Sequence, residues 1–341
     1  MADTPIAHYE VLESEFAKEY GNSPPFTFCW DDIPTKRKQL VEVFLPLMRE
    51  QLKGELPEPS TYISQDHFVP VASGTANIRI RMITPTAGGP FPVFYFIHGG
   101  GFISGSAEFM EAPMTIAAVE LGIVVALGEY RLAPENPHPT QVNDCVEGVK
   151  WVVNNADTLE ADLSKGFVVG GESAGGSLAA TTVHILCDDP SFPENLLTGQ
   201  ILQIPCTVDP RAVPEEFKAE YQSMHMAKNY NPAGMTRELL ADMYAKHLRN
   251  TPSDPTASPL LFPSHASLPP TIIQVAGLDY LRDDGILYNK LLRRDGVQSK
   301  LIIYPGVPHG FRGVYPHLKV SKQYDEDLRK ALRSFMPGAR R

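Results

Sequence analysis

The chain has 341 residues, of which 43% are hydrophobic and 21% charged, an ordinary globular balance with ample apolar material for a large core. A net charge of −10, with no basic run longer than Lys36-Arg37-Lys38, argues against a nucleic-acid partner. Cys29, Cys145, Cys187 and Cys206 lie far apart, with neither metal-ligand spacing nor the density of a disulfide framework, so they read as free thiols.

The opening Met1-Ala2-Asp3-Thr4-Pro5 lacks the basic and apolar regions of a secretion signal, and no apolar stretch is long enough to span a bilayer. No Asn-x-Ser/Thr sequon occurs either, so the expectation is a cytoplasmic protein with no stable membrane insertion. Residues 6–20 and 35–52 read as helices, the second following a stop at Pro34. Its Leu40, Val43, Phe44, Leu47 and Met48 recur at helical spacing. Residues 77–83 then alternate Ile78, Ile80 and Met82 with polar residues, as a half-buried strand does. Residues 92–97 and 123–127 are nearly continuous apolar runs, as strands buried on both faces are. Further short runs at 167–169, 201–204, 271–275 and 300–304 alternate with helical segments at 109–120, 141–155, 174–186, 283–294 and 317–335. That order predicts an α/β fold with a mostly parallel sheet covered on both sides. The interval 207–259 breaks the rhythm, with helices expected at 214–226 and 235–248. Together with residues 1–60 it reads as a helical cap over a core made of 61–206 and 260–341.

The sharpest motif is Gly171-Glu172-Ser173-Ala174-Gly175, placed between an apolar strand and a helix. In that context a serine is held on a tight strand-to-helix turn, with small neighbours to relieve crowding and a helix N-terminus to favour developing negative charge. Upstream, His98-Gly99-Gly100-Gly101-Phe102 follows another strand. Three glycines let backbone N–H groups converge on one substrate oxygen, whereas no phosphate-loop spacing is present. Of the later histidines only His309 lies just past an apolar strand, where open α/β sheets place reactive groups. His225 and His247 fall in the cap. Asp279, Asp283 and Asp284 follow the strand 271–275; Asp279 lies in the loop itself, and the other two suit the first turn of the next helix as caps.

With these blocks the chain resembles the hormone-sensitive-lipase-like family of α/β-hydrolase esterases, over roughly Pro92 to Phe311. The blocks, in order, are His98 to Phe102; Tyr130 to Glu135 with Pro137, Pro139 and Asp144; Gly171 to Gly176; Ser258-Pro259-Leu260; Asp279 to Asp283; and His309-Gly310-Phe311. The resemblance implies an α/β-hydrolase fold with a helical cap and a triad of Ser173, Asp279 and His309. It implies oxyanion donors at the N–H groups of Gly100, Gly101 and Ala174. His98 and Gly99 would shape the glycine loop, and Glu172 is similar to the acidic residue that precedes the nucleophile in one branch. The family's usual Pro after the triad acid is here Tyr280.

The implied function is hydrolysis of short- to medium-chain carboxylic esters through an acyl-enzyme, needing no metal or organic cofactor. A lactonase or a deacylase of a natural-product intermediate uses the same parts. A non-catalytic small-molecule receptor on this scaffold would lack the histidine that this chain keeps at His309. Phe102, Phe28, Trp30, Met224, Met226 and Tyr230 are the candidate pocket residues. The expected partner is a small-molecule ester, and a homodimer is the assembly that the resemblance suggests.

Overall fold

The computed structural model describes residues 9–22, 32–226, 235–248 and 251–340. Its centre is one eight-stranded sheet. The strands are β1 (Tyr62–Val71), β2 (Ala76–Pro85), β3 (Val93–Ile97), β4 (Val124–Gly128), β5 (Phe167–Glu172), β6 (Gly199–Gln203), β7 (Thr271–Ala276) and β8 (Ser299–Tyr304). They lie in the order β1-β2-β4-β3-β5-β6-β7-β8, with β1–β2 and β2–β4 antiparallel and every later pair parallel.

Helices cover both faces: α4 (Glu108–Leu121), α5 (Thr140–Asn154), α6 (Ala174–Asp188), α8 (Arg282–Arg294) and α10 (Lys319–Phe335), with a single turn α9 (Phe311–Val314). The central strands explain the two layers. On β3, Val93, Tyr95 and Ile97 join a core with Val149 of α5 and Leu178 of α6, while Phe94 and Phe96 join one with Met114 of α4 and Leu332 of α10. Successive side chains point to opposite faces, so a strand covered on both sides must be apolar throughout.

The edge strand β1 gave no sequence signal. Phe68 is exposed and Pro70 interrupts its pattern, both tolerable only at a sheet edge. Its register is marked by charge: Asp66 lies opposite Arg81, whose Nε and Nη2 donate to it at 2.7 and 2.9 Å.

The remaining helices are α1 (Ser14–Asn22), α2 (Ile33–Gln39), α3 (Leu45–Leu52) and α7 (Arg237–Leu248). The first starts later than expected, although residues 6–8 lie outside those described. Pro34 opens α2 and does not stop a helix, since the first turn has no need of its N–H. Between α2 and α3 one π turn, Leu40–Phe44, carries the helix on, closed by Leu45 N–H on Leu40 O. Pro46, with no N–H to give, follows at once.

The helix expected at 214–226 is not formed; only 3₁₀ turns occur, Glu215–Phe217 and Ser223–His225. The reason lies in Asp283 and Asp284. They sit in the first turn of α8 but do not cap it. Asp284 accepts the N–H groups of Thr207 and Val208 and the Tyr221 hydroxyl, and Asp283 accepts those of Gln222 and Ser223 at 2.6 Å each. Backbone donors engaged by carboxylates are not available to a helical ladder.

Candidate active site

Ser173 stands between β5 and α6 with φ 55° and ψ −119°, a conformation that costs a non-glycine residue energy and persists only where its surroundings hold it. They do so at both ends: Ser173 N–H donates to Gln203 O at 2.8 Å, and its carbonyl accepts Ser177 N–H at 3.1 Å. The glycines around it are forced by crowding. A Cβ on Gly171 would lie 2.2 Å from Gly175 O, and one on Gly175 would lie 2.1 Å from Ile97 O.

The loops after β7 and β8 bring the other two groups to the same point. His309 Nε2 lies 2.9 Å from Ser173 Oγ, and His309 Nδ1 lies 2.7 Å from Asp279 Oδ2. Asp279 is buried, and its second oxygen accepts Leu281 N–H at 2.9 Å. Burial disfavours imidazolium at His309, but the charge and hydrogen bond of Asp279, aided by the charge of Glu172, outweigh it and raise its pKa above the ordinary histidine value.

The glycine loop is pressed onto this turn. A Cβ on Gly99 would lie 3.0 Å from Glu172 O and 3.4 Å from Ser173 Cβ. Gly100 has φ +119°, and its carbonyl accepts both the N–H and the hydroxyl of Ser104 at 3.1 and 2.8 Å. Gly101 has φ +63° beneath Met243 of α7. His98 Nδ1 lies 2.7 Å from Gly99 O, and its ring stacks on Tyr130 with centroids 4.4 Å apart. The Tyr130–Glu135 block braces the loop in turn: Tyr130 donates to His98 O, and Ala133 N–H to Phe102 O. Arg37 reaches across from α2 to Ile103 O, Ala133 O and Glu135. Ala174 is buried as the first residue of α6.

Ser173 and His309 open on a cavity of about 180 Å³. Leu40, Phe44 and Met48 wall it from the N-terminal helices, and Leu240, Met243 and Tyr244 from α7. Phe102 lies on its wall, stacked on His247 with ring centroids 3.7 Å apart. Met224 and Met226 are not among its described lining residues: Met224 packs on the core, and Met226 is buried with its sulfur against Arg282. The turn that carries them is fastened to α8 through Asp283, which holds them away. Phe28, Trp30 and Tyr230 lie outside the described residues, as does Cys29, while Cys145, Cys187 and Cys206 are unbridged.

Three charged groups also face this cavity. Burial raises the pKa of Glu172, against the pull of the Arg312 and His309 charges. Arg312, 4% exposed, donates through Nε and Nη2 to Asp325 at 2.9 to 3.1 Å. Lys36 is 1% exposed, and burial, with Arg37 and Lys246 nearby, lowers its pKa to about 6. The sequence showed Lys36 only as part of a basic run and did not mark Arg312 at all, although it stands three residues after His309. Among the described residues no group of three His, Cys, Asp or Glu side chains is placed to hold a metal ion, and no helix is long and apolar enough to cross a membrane.

A serine, a histidine and a buried aspartate in hydrogen-bonded line at the strand ends of a mostly parallel sheet define the serine-hydrolase class of α/β protein. Residues 94–313 match the α/β hydrolase fold family, and the chain belongs to that family, in its hormone-sensitive-lipase-like esterase branch. It is 34% identical to an AB hydrolase superfamily protein of Schizosaccharomyces pombe, over 85% of this chain and 82% of that one. It is 30% identical to the carboxylic ester hydrolase LipN of Mycobacterium tuberculosis, over 82% of this chain and 73% of LipN. Among solved structures it is similar to vibralactone cyclase, with a TM-score of 0.90 and 32% identity over 97% of this chain and 96% of that one.

Proposed function

We propose that this chain is a serine carboxylesterase acting on short- to medium-chain esters. The observation that carries the reading is the line from Asp279 Oδ2 through His309 to Ser173 Oγ, with contacts of 2.7 and 2.9 Å, opening on an apolar cavity. The likeness to LipN supports it. His309 Nε2 takes the Ser173 proton as Oγ attacks the ester carbonyl, while Nδ1–H donates to Asp279, which stabilises the imidazolium. The N–H groups of Gly100, Gly101 and Ala174 receive the oxyanion. His309 then protonates the departing alkoxide, and a water repeats the sequence to free Ser173. The N-terminal helices and α7 are two parts of one cap that selects the substrate. The unbridged cysteines accord with a cytoplasmic setting, which cell fractionation tests, and a homodimer is the assembly to look for by sedimentation.

Hydrolysis of p-nitrophenyl acetate, butyrate, octanoate and palmitate by the wild type and by Ser173→Ala tests this reading. Turnover falling with chain length, and lost in the variant, is the expected result. Turnover that survives Ser173→Ala, or is as fast on palmitate, overturns it. The likeness to vibralactone cyclase favours a second reading, in which the carbonyl belongs to a lactone. Lactones assayed beside the linear esters separate the two.

A further inference from the structure

The glycine loop runs on through a residue that lacks glycine's freedom. Gly100, Gly101 and Phe102 hold φ of +119°, +63° and +65° in succession. For Phe102 that region is costly, and it persists only where neighbours hold it. Two neighbours do. Its carbonyl accepts Ala133 N–H at 3.0 Å, and its ring lies flat against the His247 imidazole, with planes within 3° of parallel. His247 is on α7, one turn beyond Met243, and residues four apart share a helix face. A Cβ on Gly101 would lie 2.3 Å from Met243 Sδ, so one face of α7 meets two successive residues of the loop.

His247 is itself fixed. His138 N–H donates to His247 O at 2.9 Å, and the two rings meet edge to face, 5.6 Å apart at 81°. The His138 ring is oriented by Thr256 Oγ1 and Asp254 Oδ2, 3.1 and 3.3 Å from its Nε2. The segment 130–139 therefore grips Phe102 twice: by its backbone through Ala133, and by its ring through His138 and His247. Burial, with the His138 charge, lowers the His247 pKa to about 3, so the stacked ring is neutral wherever His309 can act as a base. With centroids 3.7 Å apart, the whole face of each ring is in van der Waals contact. A phenyl ring reproduces that contact; a branched leucine of similar bulk does not.

We propose that His247 is a positioning residue for the oxyanion hole: its stack on Phe102 holds the glycine loop so that the Gly101 N–H stays aimed at the developing charge. The cap helix α7 is then part of the catalytic geometry as well as a wall of the substrate cavity. His247 is not among the described residues lining that cavity; it moves no proton and acts through Phe102. This rests on the esterase reading above and its assignment of the oxyanion donors.

The test measures kcat and KM for p-nitrophenyl acetate in the wild type, His247→Ala, His247→Leu and His247→Phe. Loss of the stack is expected to lower kcat roughly 10- to 100-fold in the Ala and Leu variants, with KM within about twofold. His247→Phe, which restores a flat ring, recovers most of the kcat. The acid limb of the pH profile reports His309 and stays in place in all three. In a Phe102→Ala background, His247→Leu costs nothing further, because the contact it removes is already gone. Wild-type kcat in both His247→Ala and His247→Leu overturns the proposal. So does His247→Leu matching His247→Phe, which makes the contact ordinary packing, and so does a displaced acid limb, which moves the damage to the triad. A wild type that does not turn over the ester, or a Ser173→Ala that still does, overturns the esterase reading, and the positioning role falls with it. Should His247→Ala not fold, the Leu and Phe variants and the Phe102→Ala background still decide.

Discussion

Glu13 and Gly306 are joined by a backbone hydrogen bond of 3.0 Å that ties the N-terminal segment to the loop leading to His309. The tie is double, because Gly306 N–H donates to Tyr9 O at 3.0 Å. A Cβ on Gly277, at the start of the Asp279 loop, would lie 2.6 Å from the same Tyr9 oxygen. One strap thus presses on the loops of both the acid and the base.

Deleting residues 1–13 is therefore expected to lower kcat/KM by roughly 10- to 100-fold, the usual effect of small misplacements of reacting groups, while the far-UV circular dichroism of the sheet persists. Gly306→Ala tests the same contact without truncation. Gly306 has φ +71°, and a Cβ there would lie 2.2 Å from Val11 O. Activity at the wild-type level in both variants removes the strap from the mechanism.

The pH profile follows from the charges around His309. The base must be neutral, so activity is lost as pH falls through its pKa, which Asp279 and Glu172 hold above the ordinary value of about 6.5. The acid limb of kcat/KM is expected above that value. Glu172→Gln removes a negative charge that favours imidazolium, so the limb moves to lower pH. A limb that stays in place, or moves up, contradicts the electrostatic account.

Gly100→Ala addresses the oxyanion donors. A Cβ there would lie 2.0 Å from Ser104 O, a backbone atom, at φ +119°, so the loop must shift. The expected loss is about 10²–10³ in kcat, the usual cost of one donor, with KM little changed. A variant that keeps most of its kcat places the oxyanion elsewhere.

Lys36 links the cavity wall to stability. Its folded pKa is about 6, against about 10.4 for an unfolded lysine. Between those limits the unfolded chain holds a proton that the folded chain does not, so this residue makes stability rise with pH, by up to ~1.4 kcal/mol per unit. Lys36→Met removes the slope. Urea titrations at pH 9, 8 and 7 are expected to show the variant gaining on the parent as pH falls; a constant difference counts against the burial of this amine.

The parts legible in the sequence are those whose local pattern and tertiary role coincide. β3 and β4 are apolar throughout because both their faces are covered; Ser173 and Asp279 follow covered strands of the same kind, β5 and β7, whereas His309 follows β8, an edge strand that is only partly buried but whose run Leu301-Ile302-Ile303 is still apolar. β1 was illegible because an edge strand need not alternate. The absent helix at 214–226 was illegible because the N–H groups of Gln222 and Ser223 are taken by Asp283, some sixty residues away, and the Tyr221 hydroxyl by Asp284. The same two carboxylates looked like helix caps for the converse reason: their position in α8 is local, but their partners are not. Lys36 and Arg312 are ordinary charged residues in sequence, and only the packing of other segments around them makes them buried.

The π turn at Leu40–Phe44 bears on how such a pocket diverges. Leu40, Phe44 and Met48 face the cavity, while Val41, Val43 and Leu47 point to solvent. Each residue added to or lost from a helix turns all that follows by about 100°, so a single insertion or deletion before Pro46 would exchange part of the inner wall for the outer. The reacting groups hang from strands that this helix does not share. A lineage can therefore try a new substrate by changing one codon's worth of helix, with the proton relay inherited intact.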